Sequence, residues 1–278
     1  MVVQAARVVT AFDRWLSVLA DGRGRPTLFI RGRHSEFTMS TTVAFVGVTG
    51  GAGTTRVSVE AGATLARAGH SVAVLDASFA TQGLATHVGG RIDPDLTRVL
   101  TDEAAFGDAL VDVWPDLDGR AAIASVHAPF ERVARAKAPD AARQFETCVD
   151  HAARQFDHVV VDVPPVADNQ SVAAVTGVDR RVLVAPDSRR GADLLPRMRG
   201  RLVDLGADAD ALVANRVAGG EPSHLPEADH AIPTGEDGVV MPTCTAADSE
   251  FAATMADVTS DRFDRDIEVD RSSDGLFG

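Results

Sequence analysis

The chain has 278 residues, a formal net charge of −13 and 45% apolar residues, enough for one large α/β domain that needs no disulfide or metal to hold its core. The acidity argues against a broad nucleic-acid-binding surface, no apolar run reaches the length of a membrane span, and no basic stretch leads into an uninterrupted apolar one as in a secretory signal, so a cytoplasmic protein is expected. Cys148 and Cys244 stand far apart and outside any metal-ligand spacing, and read as two small buried thiols.

In chain order, residues 1–38 come first, with six arginines against three acids, net +3, while the remainder is −16. Two readings stay open for this extension: a basic arm with a short helix around 8–19, or a mis-assigned start with Met39 as the true one. The composition shift directly before Met39 favours the second. From Thr42 strand and helix patterns alternate, which predicts a mostly parallel sheet with helices on both faces. Strands are expected at 43–48, 71–75, 121–126, 158–161, 181–185, 211–214 and, more weakly, 239–241. Helices are expected at 57–68, stopped by Gly69, and at 141–155, 192–205 and 246–258. Residues 218–237, rich in Gly, Pro and acids, read as a loop, and the acidic stretch from Asp261 as disordered. The expected division is thus 1–38, a nucleotide-binding domain over 39–260, and an acidic tail over 261–278.

Function in such sheets gathers at the carboxyl ends of the strands. Four strand ends carry polar or glycine residues: Gly50-Gly51-Ala52-Gly53-Thr54-Thr55, Asp76, Asp162 and Asn215-Arg216. The glycines let backbone N–H groups turn inward around an anion, and the helix that starts near Thr54 adds the positive end of its dipole. The Thr55 hydroxyl suits a magnesium ion, and Asp162 fits the acid that holds such an ion through water.

Together these residues resemble the ParA/MinD family of P-loop ATPases over about residues 42–260. The family's Lys-Gly-Gly-x-Gly-Lys-Thr-Thr is matched by Thr49-Gly50-Gly51-Ala52-Gly53-Thr54-Thr55-Arg56. Its strand-end aspartate is matched by Asp76, its Asp-x-Pro-Pro by Asp162-Val163-Pro164-Pro165, and its Asn-Arg near an adenine pocket by Asn215-Arg216. Four such strings in one order and spacing are specific. The resemblance implies a P-loop NTPase-like fold, ATP or ADP with Mg2+ as ligand, and a positioning or partitioning role. It also implies a nucleotide-binding set of Gly50, Gly51, Ala52, Gly53, Thr54, Thr55, Arg56, Asn215 and Arg216, with Thr55 and Asp162 at the metal and Asp76 as a further strand-end acid. Partners implied are a second copy of the chain or an intact relative.

The departures carry as much weight. Thr54 replaces the lysine that reaches the phosphates, Thr49 the lysine that in relatives crosses to the partner's nucleotide, and Ser78 the aspartate associated with activating water. Phosphoryl transfer depends on positioned positive charge, so the degenerate loop predicts weak or absent hydrolysis and a regulatory role. Arg56 comes one residue late and is expected to point along its helix. Two alternatives remain: a slow but active ATPase, and an NAD(P)-binding Rossmann-type protein, since Asp76 also stands where such proteins hold an adenosine ribose. Arg56 at the third glycine position weighs against the latter, and the absence of tyrosine weighs against its short-chain-dehydrogenase form while leaving a dinucleotide-binding protein without that chemistry open.

Lys137 is the single lysine among 27 basic residues, a composition resembling that of extremely salt-loving microbes, where an acidic, lysine-poor surface keeps proteins in solution. Arg180, Arg181, Arg189, Arg190, Arg197, Arg199 and Arg201 crowd one region. Pairing with Asp187, Asp193 and Asp204 is expected there ahead of DNA contact. The acidic tail has the wrong charge for a membrane-binding helix.

Overall fold

The computed structural model describes residues 40–235, 242–246 and 248–267. They build one sheet from β1 (Thr41–Gly47), β2 (Ser71–Asp76), β3 (Val111–Val113), β4 (Arg120–Ala124), β5 (His158–Val163), β6 (Arg180–Pro186), β7 (Ala211–Val217) and β8 (His230–Pro233). The strand order is β3-β4-β2-β5-β1-β6-β7-β8. Every neighbouring pair is parallel except β3 with β4. Helices α1 (Thr54–Arg67), α2 (Leu96–Leu100), α3 (Phe130–Ala136), α4 (Pro139–Gln155), α5 (Asn169–Thr176), α6 (Arg189–Asp204) and α7 (Glu250–Phe263) fill the connections and the end of the chain.

Successive strand residues point to opposite faces, and here both faces are covered. Val43, Phe45, Val74 and Val160 pack with Val57 and Leu65 of α1 and Met255 and Val258 of α7. Ala44, Val46, Leu75 and Val161 pack with Phe145 of α4, Ala174 of α5 and Leu195 of α6. That double burial is why β1, β5 and β6 read as unbroken apolar runs rather than alternating ones.

The six expected strands outside 239–241 and the expected helices form close to their predicted bounds, except at four places. Residues 218–237 are not all loop, because β8 pairs with β7 inside them; its two apolar residues, Ala231 and Ile232, are too few to show a period. The antiparallel edge strand β3 and the helices α2, α3 and α5 escaped the sequence for the same reason of length. The helix expected at 246–258 starts later, at Glu250, where the Ser249 hydroxyl accepts from Ala252 N at 3.1 Å, and it continues to Phe263. The disorder expected from Asp261 therefore fails over 261–267, where Phe263 and Ile267 are buried. The strand expected at 239–241, residues 1–38 and the rest of the tail lie outside the described residues.

That last turn docks on His158, a fully buried residue at the start of β5. The ring meets Phe263 and His70 edge-on, at 5.2 and 5.0 Å between centroids. Arg265 Nε donates to His158 Nε2 at 3.3 Å. Burial, then the positive charges of His70 and Arg265, push the imidazole from its usual 6.5 down to about 4. The native state therefore binds fewer protons at this site than the unfolded chain. Its contribution to stability is whole above about pH 6.5 and is lost as pH falls toward 4. A denaturant series across that window should show the loss, and His158→Phe should flatten it.

Candidate phosphate-binding site

β1 ends against β6, with Val48 N donating to Val184 O at 2.9 Å, and the chain then turns through Thr49–Gly53 into α1. Gly51 and Gly53 have φ of 75° and 87°, the left-handed region that side chains resist. Gly53 has a second reason to lack a side chain, since a Cβ there would lie 2.3 Å from Asn215 Nδ2. That amide donates to Ala52 O at 2.8 Å, so the end of β7 clamps the loop from beneath. Thr54 turns back under the loop, where its hydroxyl would sit 2.8 Å from a Cβ on Gly47.

Thr55, on the first turn of α1, donates from Oγ1 to Asp162 Oδ2 at 2.6 Å. Asp162 is level with Asp76 in the β2–β5 register, so two buried carboxyls lie side by side at the strand ends. Burial, with Asp76 adding to it and the Thr55 hydroxyl opposing, pushes Asp162 up to about 8. Burial likewise pushes Asp76 up to about 6, against the backbone N–H groups of Val126 and Ser78 that it accepts. The turn after β2 closes over Thr55: Ser78 and Thr81 hydroxyls share a bond of 2.7 Å, and Gln82, at φ 52°, exchanges two bonds with the backbone of Ala128.

Gly50, Gly51, Ala52, Gly53, Thr54, Thr55, Asp162 and Arg216 line one cavity of about 270 Å³. Three residues of the sequence-derived set hold other positions. Asp76 lies beneath the cavity and caps backbone N–H groups. Asn215 serves as the loop clamp. Arg56 is turned away: its guanidinium lies 4.5 Å over the Phe251 ring, pairs with Glu60 at 3.6 Å and donates to Thr243 Oγ1 at 3.4 Å. Thr81, Gly83 and Pro164 also line the cavity; of these the sequence pointed only to Pro164, through its place in Asp162-Val163-Pro164-Pro165.

The arginine cluster is mostly spoken for. Arg180 pairs with Asp264, Arg181 with Asp210, and Arg189 with Asp193, while Arg201 donates to Val166 O. The expected pairing with Asp187 does not form, because that carboxylate accepts from Ser223 N and His224 N. No helix among the described residues is long and apolar enough to cross a membrane.

The strand order separates two nucleotide-binding designs. A dinucleotide-binding sheet places its second strand beside its first, whereas here β5 intervenes between β1 and β2 and presents Asp162 next to the loop. The family model described as cellulose biosynthesis protein BcsQ matches residues 39–201, more than half of the chain. The chain belongs to the BcsQ family. No curated protein matches it by sequence. Solved structures with the same fold include the Aquifex aeolicus MinC:MinD cell division complex, at 18% identity, TM-score 0.66, and 84% of this chain against 99% of that one. Pyrococcus horikoshii OT3 septum site-determining protein MinD, complexed with Mg-ADP, gives 18%, 0.58, 71% and 82%. Cobyrinic acid a,c-diamide synthase from Mycobacterium smegmatis, with bound ADP and magnesium, gives 15%, 0.61, 83% and 99%. The fold of this BcsQ-family chain is thus that of the ParA/MinD-type P-loop ATPases, an eight-stranded, mostly parallel sheet between helices.

Proposed function

We propose that the protein binds ATP or ADP with Mg2+ on residues 50–55, hydrolyses it weakly or not at all, and acts as a regulatory partner in a positioning or partitioning type of process. The observation that carries this reading is the Thr55–Asp162 bond of 2.6 Å beside a glycine loop in one cavity. Asp162 is a buried carboxylate with no cation within ion-pairing distance among the described residues, so a divalent ion fits. Thr55 and Asp162 would hold it, and when bound it would neutralise phosphate charge. The backbone N–H groups of the loop and the start of α1 supply the rest of the anion's field.

Two relatives in fold support the ligand: the Pyrococcus horikoshii MinD holds Mg-ADP and the Mycobacterium smegmatis synthase holds ADP and magnesium. The Aquifex aeolicus MinD is in complex with MinC, which supports a protein partner, either a second copy or an intact relative that brings its own lysine. Weak hydrolysis follows from Thr49, Thr54 and Ser78, none of which carries charge at the loop. Calorimetry with ATP, ADP and NAD at high salt, with and without magnesium, tests the ligand; magnesium-dependent binding of ATP and ADP but not NAD is expected. Preference for NAD overturns the reading. Steady phosphate release abolished by Thr55→Ala overturns the part about hydrolysis.

A further inference from the structure

The loop's missing lysine leaves a question of charge. Among the described residues, one cationic side chain lines the 270 Å³ cavity, and it is Arg216. Its Nη2 lies 3.8 Å from the position a Cβ on Gly53 would take, at the point where the loop becomes helix.

The backbone goes out of its way to put it there. The β7–β8 register slips between Asn215 and Val217, and Arg216 takes φ 61°, a left-handed conformation that costs a non-glycine residue on the order of 1 kcal/mol or more and gathers at functional positions. A bulge of this kind re-aims a side chain. Arg216 is exposed between two buried neighbours, Asn215 and Val217, and faces the loop. Among the described residues the guanidinium has no ion pair and donates no hydrogen bond, whereas Arg56, Arg67, Arg180 and Arg181 are all fastened to protein acceptors. An arginine whose guanidinium has no partner among the described residues, beside a phosphate loop, is well formed for a polyphosphate.

We infer that Arg216 supplies the positive charge that this loop lacks at Thr54 and binds the polyphosphate of the nucleotide directly. The inference rests on the ligand proposed above. It differs from a role for Arg216 as a platform for the base, and the two make opposite demands on base-free ligands.

The test uses the full-length protein with magnesium at one fixed salt concentration, and three probes: ADP, inorganic pyrophosphate and adenosine. Arg216→Gln should weaken ADP and pyrophosphate about tenfold to a hundredfold, as expected for a charge-assisted pair, and leave adenosine unchanged. Adding Thr54→Lys to Arg216→Gln should restore most of the loss, because the charge returns from the other side of the loop. Arg216 is exposed, so the variant should keep the wild-type melting temperature, which a thermal scan verifies. Unchanged pyrophosphate binding in Arg216→Gln overturns the inference while leaving the nucleotide reading intact, as does a loss confined to adenosine. A wild-type protein that binds neither ADP nor pyrophosphate overturns both.

Discussion

Asp162→Asn should stabilise the ligand-free protein and abolish its magnesium-dependent nucleotide binding. The carboxyl is buried, Asp76 sits beside it on the next strand, and its one side-chain partner among the described residues is the Thr55 hydroxyl. Its proton is held up to about 8, from a usual value of 3.8. A carboxyl whose folded value exceeds its unfolded one binds more protons in the native state than in the unfolded state. The contribution of this site to native stability is then whole below about pH 4 and is lost as pH climbs through the window from about 4 to about 8. Asparagine keeps the shape and can still accept from Thr55, but it never ionises. At pH 8 the variant should gain roughly 2 kcal/mol, or about 4–8 °C in melting temperature for a domain of this size. Magnesium with ADP should raise the wild-type melting temperature at that pH and leave the variant where it was. A variant less stable than wild type at pH 8 would show that the ionised carboxylate is itself part of the ligand-free fold.

The residues gathered at this site also mark what the sequence could and could not reveal. Gly50–Gly53, Thr55 and Asp162 were legible because each breaks or ends an apolar run, and a parallel sheet brings all such ends to one edge. The sheet itself was legible for the same reason, since fully buried strands leave continuous Val-rich stretches. Arg216 was visible only as half of an Asn-Arg pair; the bulge that aims it depends on a pairing with β8, a strand of four residues inside what reads as a loop. The Asn-Arg pair points Asn215 at the nucleotide, yet its amide donates to Ala52 O, a contact 163 positions away in the chain. Arg56, expected to point along its helix, does so toward Glu60, and the packing of α7 against α1 adds the Phe251 ring beneath its guanidinium. In each case the missing information is long-range contact, which no local pattern encodes.

Glu60 is the sharpest of these omissions, and Glu60→Ala should cost about 3 kcal/mol of stability. It lies in the middle of α1, wholly buried, in a run that a periodicity argument treats as one more turn of helix. Its two carboxylate oxygens accept from Thr243 N at 3.0 Å and Cys244 N at 2.8 Å, and Arg56 stands 3.6 Å away. Arg67, two turns on, donates to Cys244 O and Ala246 O at 2.8 and 2.7 Å. The helix that begins at the loop thus fastens the segment leading into α7. Alanine would strand two backbone N–H groups and the Arg56 charge in a place with little water, the costly half of a broken buried pair. Glu60→Gln should cost less, because its one amide oxygen still accepts from one of the two donors. The double variant with Arg56→Ala should lose less than the sum of the two single losses, since each removes the other's partner. Neither side chain lines the loop cavity, so ADP affinity of the folded Glu60→Gln protein should stay within about twofold of wild type, a shift of only ~0.4 kcal/mol. A variant that folds with wild-type stability but loses ADP would place Glu60 in the binding site instead of in the frame that holds α1 to the end of the domain.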